Sequence, residues 1–423
     1  MSVRDLFPPR LAVSTETLPE PIDLLDVIPA GPALAWVRAD DGLVAWGEAA
    51  RIEVTGQERF SRAHRWWSQL VDAARITDGV AVPGSGPVAF GSFTFADGPG
   101  SSVLIVPSVV VGRHHGKSWI TTIGNQDRPE LVRQPAPIGH GRAHEDAGPE
   151  AAREWQDAVS KAVGRVTDGG LDKVVLARET VIRTERRIDP RYVLNRLAAA
   201  YPECWTFSVD GLIGATPELL VRRTGDAVVS RVLAGTVQRN ADSSTDGRLA
   251  RALMRSDKDL VEHLYAVESV AAALARHCTD LKVPASPSLL QLANVQHLAT
   301  DVSGLLADDS SAIALAAALH PTAAVCGTPT ERAASVIGEL EGIDRGRYAG
   351  PVGWVDANGD GEFGIALRCG EMGPTQTSMR LLAGCGIVAG STPSGEWAES
   401  EAKLSAMRTA LGADATRETQ TAV

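Results

Sequence analysis

Four acidic residues occur in two pairs at helical spacing. Asp259 and Glu262 are three apart, as are Glu396 and Glu399, and Lys403 follows one turn after Glu399. Residues at i and i+3 share a helix face. Two such helices could present carboxylates to one hard cation such as Mg²⁺, which takes oxygen donors and keeps several waters. A solvated helix face with an ordinary Glu399–Lys403 pair would show the same spacing. Lys173 heads the run KVVLAR and shares a strand face with Val175 and Ala177. An apolar setting there suits a general base, whereas an ordinary strand-end lysine snorkels to solvent. Glu218 stands in GATPELL, after a Gly/Pro turn and before an apolar strand, as a general acid or a strand-end charge. Arg368 ends the run EFGIALR and could hold a carboxylate with two parallel hydrogen bonds. Tyr348 could add a hydroxyl, and His297 a hydrogen bond to an attacking or leaving oxygen. The turns AGT (234–236), CGTP (326–329) and AGCG (383–386) could bring backbone amides close to an anion. Each feature alone has an ordinary structural explanation.

The elements that must position these residues follow from periodicity. Alternating runs at 30–57 predict strands, with Asp41-Gly42 as a hairpin turn. Residues 58–75 predict a helix carrying Trp66 and Trp67, and 86–95 and 101–112 read as strands. The stretch 127–150, rich in Pro, Gly and charge, reads as a surface connection. Beyond it, helices are expected at 149–167, 189–201, 256–279 and 311–319. A last helix starts at Thr392-Pro393, a cap residue followed by Pro at the first helical position, and runs to about 411. Strands are expected at 173–178, 204–209, 219–223, 227–232, 291–304, 351–356, 363–369 and 379–388. This mixture implies an α+β fold with large mixed or antiparallel sheets packed with helices. Residues 1–150 form an N-terminal half of the sandwich, 151–410 the region with the candidate site, and 411–423 a polar tail expected to be disordered.

The 423 residues are 44% hydrophobic and 22% charged, as in a soluble globular protein. A net charge of −11 argues against nucleic acid or an anionic membrane as partner. Any anionic ligand would need local positive charge. The five cysteines (204, 278, 326, 369 and 385) form no CxxC pair and read as buried thiols in a reducing compartment. The N-terminus lacks the apolar core of a secretory signal, and no run is long enough to span a bilayer. A cytoplasmic location is expected.

Taken in order, the runs KVVLAR, GATPELL, LAGT, SDKDLVEH, VQHLATDVSG, LHPTAAVCGTP, DRGRYAGPVGW, IALR, AGCGIVAG and EWAESEAKL resemble the chorismate-utilising enzymes. That family comprises isochorismate, salicylate, anthranilate and aminodeoxychorismate synthases. The likeness extends from Lys173 to Lys403, while the N-terminal half is only loosely similar. It implies the anthranilate synthase component I type of fold and a Mg²⁺-dependent reaction of chorismate. Glu262 and Glu399 match the carboxylates that hold the ion. Asp259 and Glu396 match neighbouring acids, with Asp at 259 where relatives often have Glu. Lys173 matches the base that activates water and Glu218 the acid that protonates the departing hydroxyl. Arg368, Tyr348, Lys403, Gly384 and Gly386 match groups around the substrate's carboxylates and ether side. His297 matches a histidine near the ring, and Gly235 and Thr236 a turn beside it.

Two positions distinguish members. The amine-forming synthases usually lack a lysine at 173, so Lys173 favours water as nucleophile. Salicylate and anthranilate synthases usually carry Thr at the position of Ala324, so Ala324 favours release of isochorismate without pyruvate loss. The resemblance therefore implies an isochorismate synthase, in a menaquinone or siderophore pathway, with menaquinone as the first expectation. The alternatives are a salicylate synthase and a chorismate-binding subunit without turnover. No glutaminase partner is implied, and a monomer or weak dimer is expected. Cys385 stands where Ala is usual, and Gly390 where an acidic or small residue is common.

Overall fold

The computed structural model describes residues 9–98, 100–124, 127–146 and 150–413. Most of the polar tail expected at 411–423 lies outside them. Two large sheets dominate, one of 13 strands and one of 10. All pairs are antiparallel except Ala12–Leu18 with Arg75–Asp78. Both sheets draw strands from either side of residue 150. In the larger, Leu34–Arg38 pairs with Trp205–Val209. In the smaller, Val88–Ser92 pairs with Pro351–Asp356. This is the α+β architecture of large sheets and helices that the sequence implied.

The core lies mainly between the sheets, built on Trp36, Phe90, Phe93, Phe207 and Phe363. A second cluster packs the helices Pro190–Ala200 and Pro393–Leu411 on the outer face of the larger sheet, through Leu194, Leu197, Leu404 and Met407. Trp66 and Trp67 are buried on helix Arg59–Ala73, as its periodicity required. No described helix is long and apolar enough to cross a membrane.

Three segments run from one sheet into the other; the sequence pattern places a turn before Leu219 but predicts none of the changes of sheet. The run 101–112 breaks at Pro107, leaving Ser102–Val106 in the smaller sheet and Val109–His114 in the larger. Leu212–Thr216 lies in the larger sheet and Leu219–Thr224 in the smaller, with Pro217 and Glu218 at the step. Gly361–Ile365 and Cys369–Met372 make the reverse step, so Arg368 does not close a strand. Its φ of +49° turns the chain between sheets. Both flanks of each step are buried, so apolar character alone does not show the change of sheet.

Other boundaries also shift. The first hairpin turns at Ala39-Asp40, with Ala39 left-handed and Arg38 paired to Asp41, so Asp41-Gly42 begins the return strand. The helix expected to reach 279 stops at Leu274, and Cys278 opens an edge strand. The 127–150 connection contains a short strand, Ala143–Glu145, on the edge of the larger sheet. Helices Ser243–Leu253 and Thr330–Leu340 were not anticipated.

Candidate active site

Two helices bring their first turns toward the inter-sheet steps. Helix Asp257–Leu274 starts at Ser256, whose hydroxyl accepts from the Asp259 amide at 3.3 Å. This places Asp259 in its first turn and Glu262 shortly after. Helix Pro393–Leu411 starts with Pro393 at its first position and carries Glu396 and Glu399 in its first two turns. The positive ends of both helix dipoles therefore favour ionised acids and bound anions at one place.

Between them lies a pocket of about 60 Å³. Of the residues singled out from sequence, Glu218, Gly235, Thr236, Glu262, His297, Ala324, Tyr348, Arg368, Gly384, Gly386, Glu399 and Lys403 line it. Lys173 sits just behind the wall, fully buried, with Nζ 3.0 Å from Glu262 Oε1. That contact is ionic, without the alignment of a hydrogen bond. Asp259 and Glu396 flank the pocket without lining it. A larger cavity of about 520 Å³, beside Trp36, Arg38 and Trp205, contains none of these residues. Convergent polar chemistry, not size, marks the site.

Two glycines are required by close approach. A Cβ on Gly386 would lie 2.2 Å from Glu262 Oε1 and 2.9 Å from Lys173 Cε. At Gly235, φ is +76° and the pairing with Val295–Leu306 slips between Ala234 and Thr236. This bulge sets Thr236 against His297, with Thr236 Oγ1 3.0 Å from Nδ1. Arg368 donates to His297 Nε2 at 3.2 Å, so Nδ1 carries the ring proton and donates to Thr236. Burial, then Arg368 and Lys403, push the imidazole well below its usual range and keep it neutral.

The electrostatics separate the carboxyls. Burial pushes Glu218 up to about 8, against the opposing effects of the Leu233 backbone, Lys173 and Arg368. At neutral pH it is a protonated acid near Lys173, Arg368 and Lys403. Burial would also raise Glu262, but Lys173 and Lys403 outweigh it and hold the carboxylate below the usual range. Lys403 contacts Glu399 Oε1 at 2.6 Å and donates to the Gly384 carbonyl at 2.8 Å. Burial works against its charge, yet Glu399 keeps its pKa above the ordinary lysine value. Burial pushes the Tyr348 phenol up to about 12, so it remains a neutral donor.

The acids fit a hard divalent cation. Carboxylate oxygens of Glu396 and Glu399 lie within 4.8 Å of each other. Burial and the charge of Glu399 raise the Glu396 pKa, and Glu396 Oε2 is buried without a hydrogen-bond partner. Such an atom is costly unless a proton or ion meets it.

Sequence reasoning missed several contributors. Arg345, from the DRGRYAG run in which only Tyr348 had a role, lines the pocket. It donates to the carbonyls of Val325 at 2.8 Å and Val175 at 2.7 Å, and pairs with the buried Glu341. Lys258 holds Glu396 Oε1 at 3.2 Å. A lysine within SDKDLVEH was a visible signal, although its target lies 138 residues away.

The family model for chorismate-binding enzymes matches residues 12–412. The chain is 35% identical to the salicylate biosynthesis isochorismate synthase of Pseudomonas aeruginosa, over 93% of this chain and 89% of that protein. It is 41% identical to isochorismate synthase DhbC of Bacillus subtilis, over 68% of this chain and 77% of the relative. Among solved structures, the menaquinone-specific isochorismate synthase of Escherichia coli superposes with a TM-score of 0.78 at 26% identity, over 95% of each chain.

Proposed function

Because this chain belongs to the family of chorismate-binding enzymes, we propose that it is an isochorismate synthase acting with Mg²⁺. The observation that carries the reading is Glu218, a buried carboxyl kept protonated at neutral pH in a pocket it shares with Arg368, Lys403 and the carboxylates of Glu262 and Glu399. Exchanging a ring hydroxyl for water needs an acid where hydroxide leaves and a base where water attacks, and Glu218 and Lys173 take these roles. Each such group typically contributes ~10²–10⁴ in rate.

Arg368, Tyr348 and Lys403 bind the carboxylates and ether arm of the substrate dianion. Neutral His297 is oriented by Arg368 and Thr236 to donate or accept near the ring. Glu262 and Glu399 would hold Mg²⁺, with Asp259 and Glu396 alongside, and the ion would supply charge neutralisation and electron withdrawal for a bound dianion. The Lys173–Glu262 and Lys403–Glu399 contacts keep buried charges compensated before ligands arrive.

Ala324 puts a methyl where a threonine would add a hydroxyl, which favours release of isochorismate over pyruvate elimination. The names of relatives span menaquinone, salicylate and other siderophore-linked enzymes, so genome neighbours decide the pathway. Incubation with chorismate and MgCl₂, followed by chromatography, tests the reading. Isochorismate without pyruvate supports it. Salicylate plus pyruvate selects the salicylate synthase alternative, and no product, even with ammonia, selects a binding subunit.

A further inference from the structure

Beneath the first turns of helix Pro393–Leu411 lies a group that the proposed reaction does not use. Cys385 is fully buried on strand Ser378–Ile387. Its thiol contacts the Glu396 carbonyl at 3.3 Å, and its sulfur lies within 4.8 Å of carboxylate oxygens of both Glu396 and Glu399. Each carboxylate has one oxygen on a lysine, Lys258 for Glu396 and Lys403 for Glu399. For Glu396 the other oxygen is the buried Oε2 without a partner.

We infer that Cys385, Glu396 and Glu399 form a site for a thiophilic divalent cation such as Zn²⁺ or Cd²⁺. Such an ion overlaps the proposed Mg²⁺ site through the shared Glu399. The distances suit it. Metal–sulfur bonds of about 2.3 Å and metal–oxygen bonds of about 2.1 Å put sulfur and oxygen roughly 3.6 Å apart in a tetrahedral site. The three ligand atoms already lie within 4.8 Å of one another. Charge is nearly compensated: a thiolate and two carboxylates carry −3, against +4 from the ion and the two flanking lysines. On binding, the thiol proton leaves to solvent as the metal–sulfur bond forms, with no change of oxidation state.

A sulfur donor favours zinc or cadmium over Mg²⁺, which takes oxygen ligands. A chain with Ala at 385 offers only the oxygens. Cys385 therefore makes this protein sensitive to zinc where its Ala variant is not.

The test is a Cd²⁺ titration of the full chain, read by the ultraviolet thiolate-to-cadmium charge-transfer absorption and by proton release into weak buffer. This readout is independent of turnover, so it fails or succeeds separately from the proposed reaction. The wild type should show a saturable band at about one ion per chain. Cys385→Ala should lose the band and bind Cd²⁺ at least tenfold more weakly, and Glu396→Gln should weaken it. In turnover assays, Zn²⁺ should inhibit the wild type and not Cys385→Ala. Should that variant fail to fold by circular dichroism, the near-isosteric Cys385→Ser carries the same comparison. No band in folded wild type, or an equal band in the folded Cys385 variant, overturns the inference.

Discussion

Replacing Glu218 with Gln should reduce activity and raise stability at the same time. The carboxyl titrates near 8 instead of the usual 4.5 because it is buried. At pH 7 roughly nine-tenths of the wild-type protein therefore holds the acid form, against about 0.3% for an unperturbed carboxyl. Gln keeps the shape but cannot give up a proton, so kcat should fall by ~10²–10⁴, or about 3–5 kcal/mol of barrier.

Stability moves the other way. From pH 4.5 upward the unfolded chain releases this proton while the folded chain retains it to about 8. The wild type therefore loses stability as pH rises through that window. At 1.36 kcal/mol per pH unit, the loss reaches about 3 kcal/mol at pH 7. Gln escapes this cost. Urea denaturation of both proteins at pH 5 and pH 7 measures the difference. The variant's advantage should grow by about 2.5 kcal/mol between the two. A gap that does not change with pH would show that Glu218 is ionised in the native state and refute its role as acid.

The kcat/KM of the wild type should fall as pH rises through about 8, where Glu218 loses its proton; a profile flat to pH 9 would count against the assignment. Lys173→Met should lose at least ~10² in kcat and, by leaving Glu262 uncompensated, destabilise by ~3–5 kcal/mol. Adding Glu262→Gln should restore much of that stability in chemical denaturation, but not turnover. In Gly386→Ala the new methyl would displace the Lys173–Glu262 contact. Activity should be lost at a folding cost of about 1–3 kcal/mol, measured by turnover and melting. Ala324→Thr should begin to release pyruvate, detectable with a coupled dehydrogenase. EDTA should abolish turnover and MgCl₂ restore it, as initial rates would show.

Much of the site was legible because local patterns carried it. The i, i+3 acids fell on real helix faces, and the Ser256 cap and Pro393 at the first helical position set where those faces begin. Spacing could not show that Asp257–Leu274 and Pro393–Leu411 meet, since that depends on how two sheets close. Only the ordered set of motifs suggested that they share a site. Glu218 and Arg368 were found as residues, but their setting was hidden, because a strand that changes sheets stays apolar on both sides of the step. Arg345 and Lys258 were missed because their roles depend on partners far away in the chain. The short turn at Ala39 was misplaced because Asp-Gly is a stronger local signal than an alanine forced to a positive φ.

The central claim is that Lys173 and Glu218 add water to chorismate and expel its hydroxyl, and solvent labelling tests it most directly. When the enzyme turns over chorismate in H₂¹⁸O with MgCl₂, mass spectrometry should find isochorismate carrying one ¹⁸O per turnover at the new hydroxyl. Unlabelled isochorismate would mean that the hydroxyl migrates within the substrate and would contradict the account.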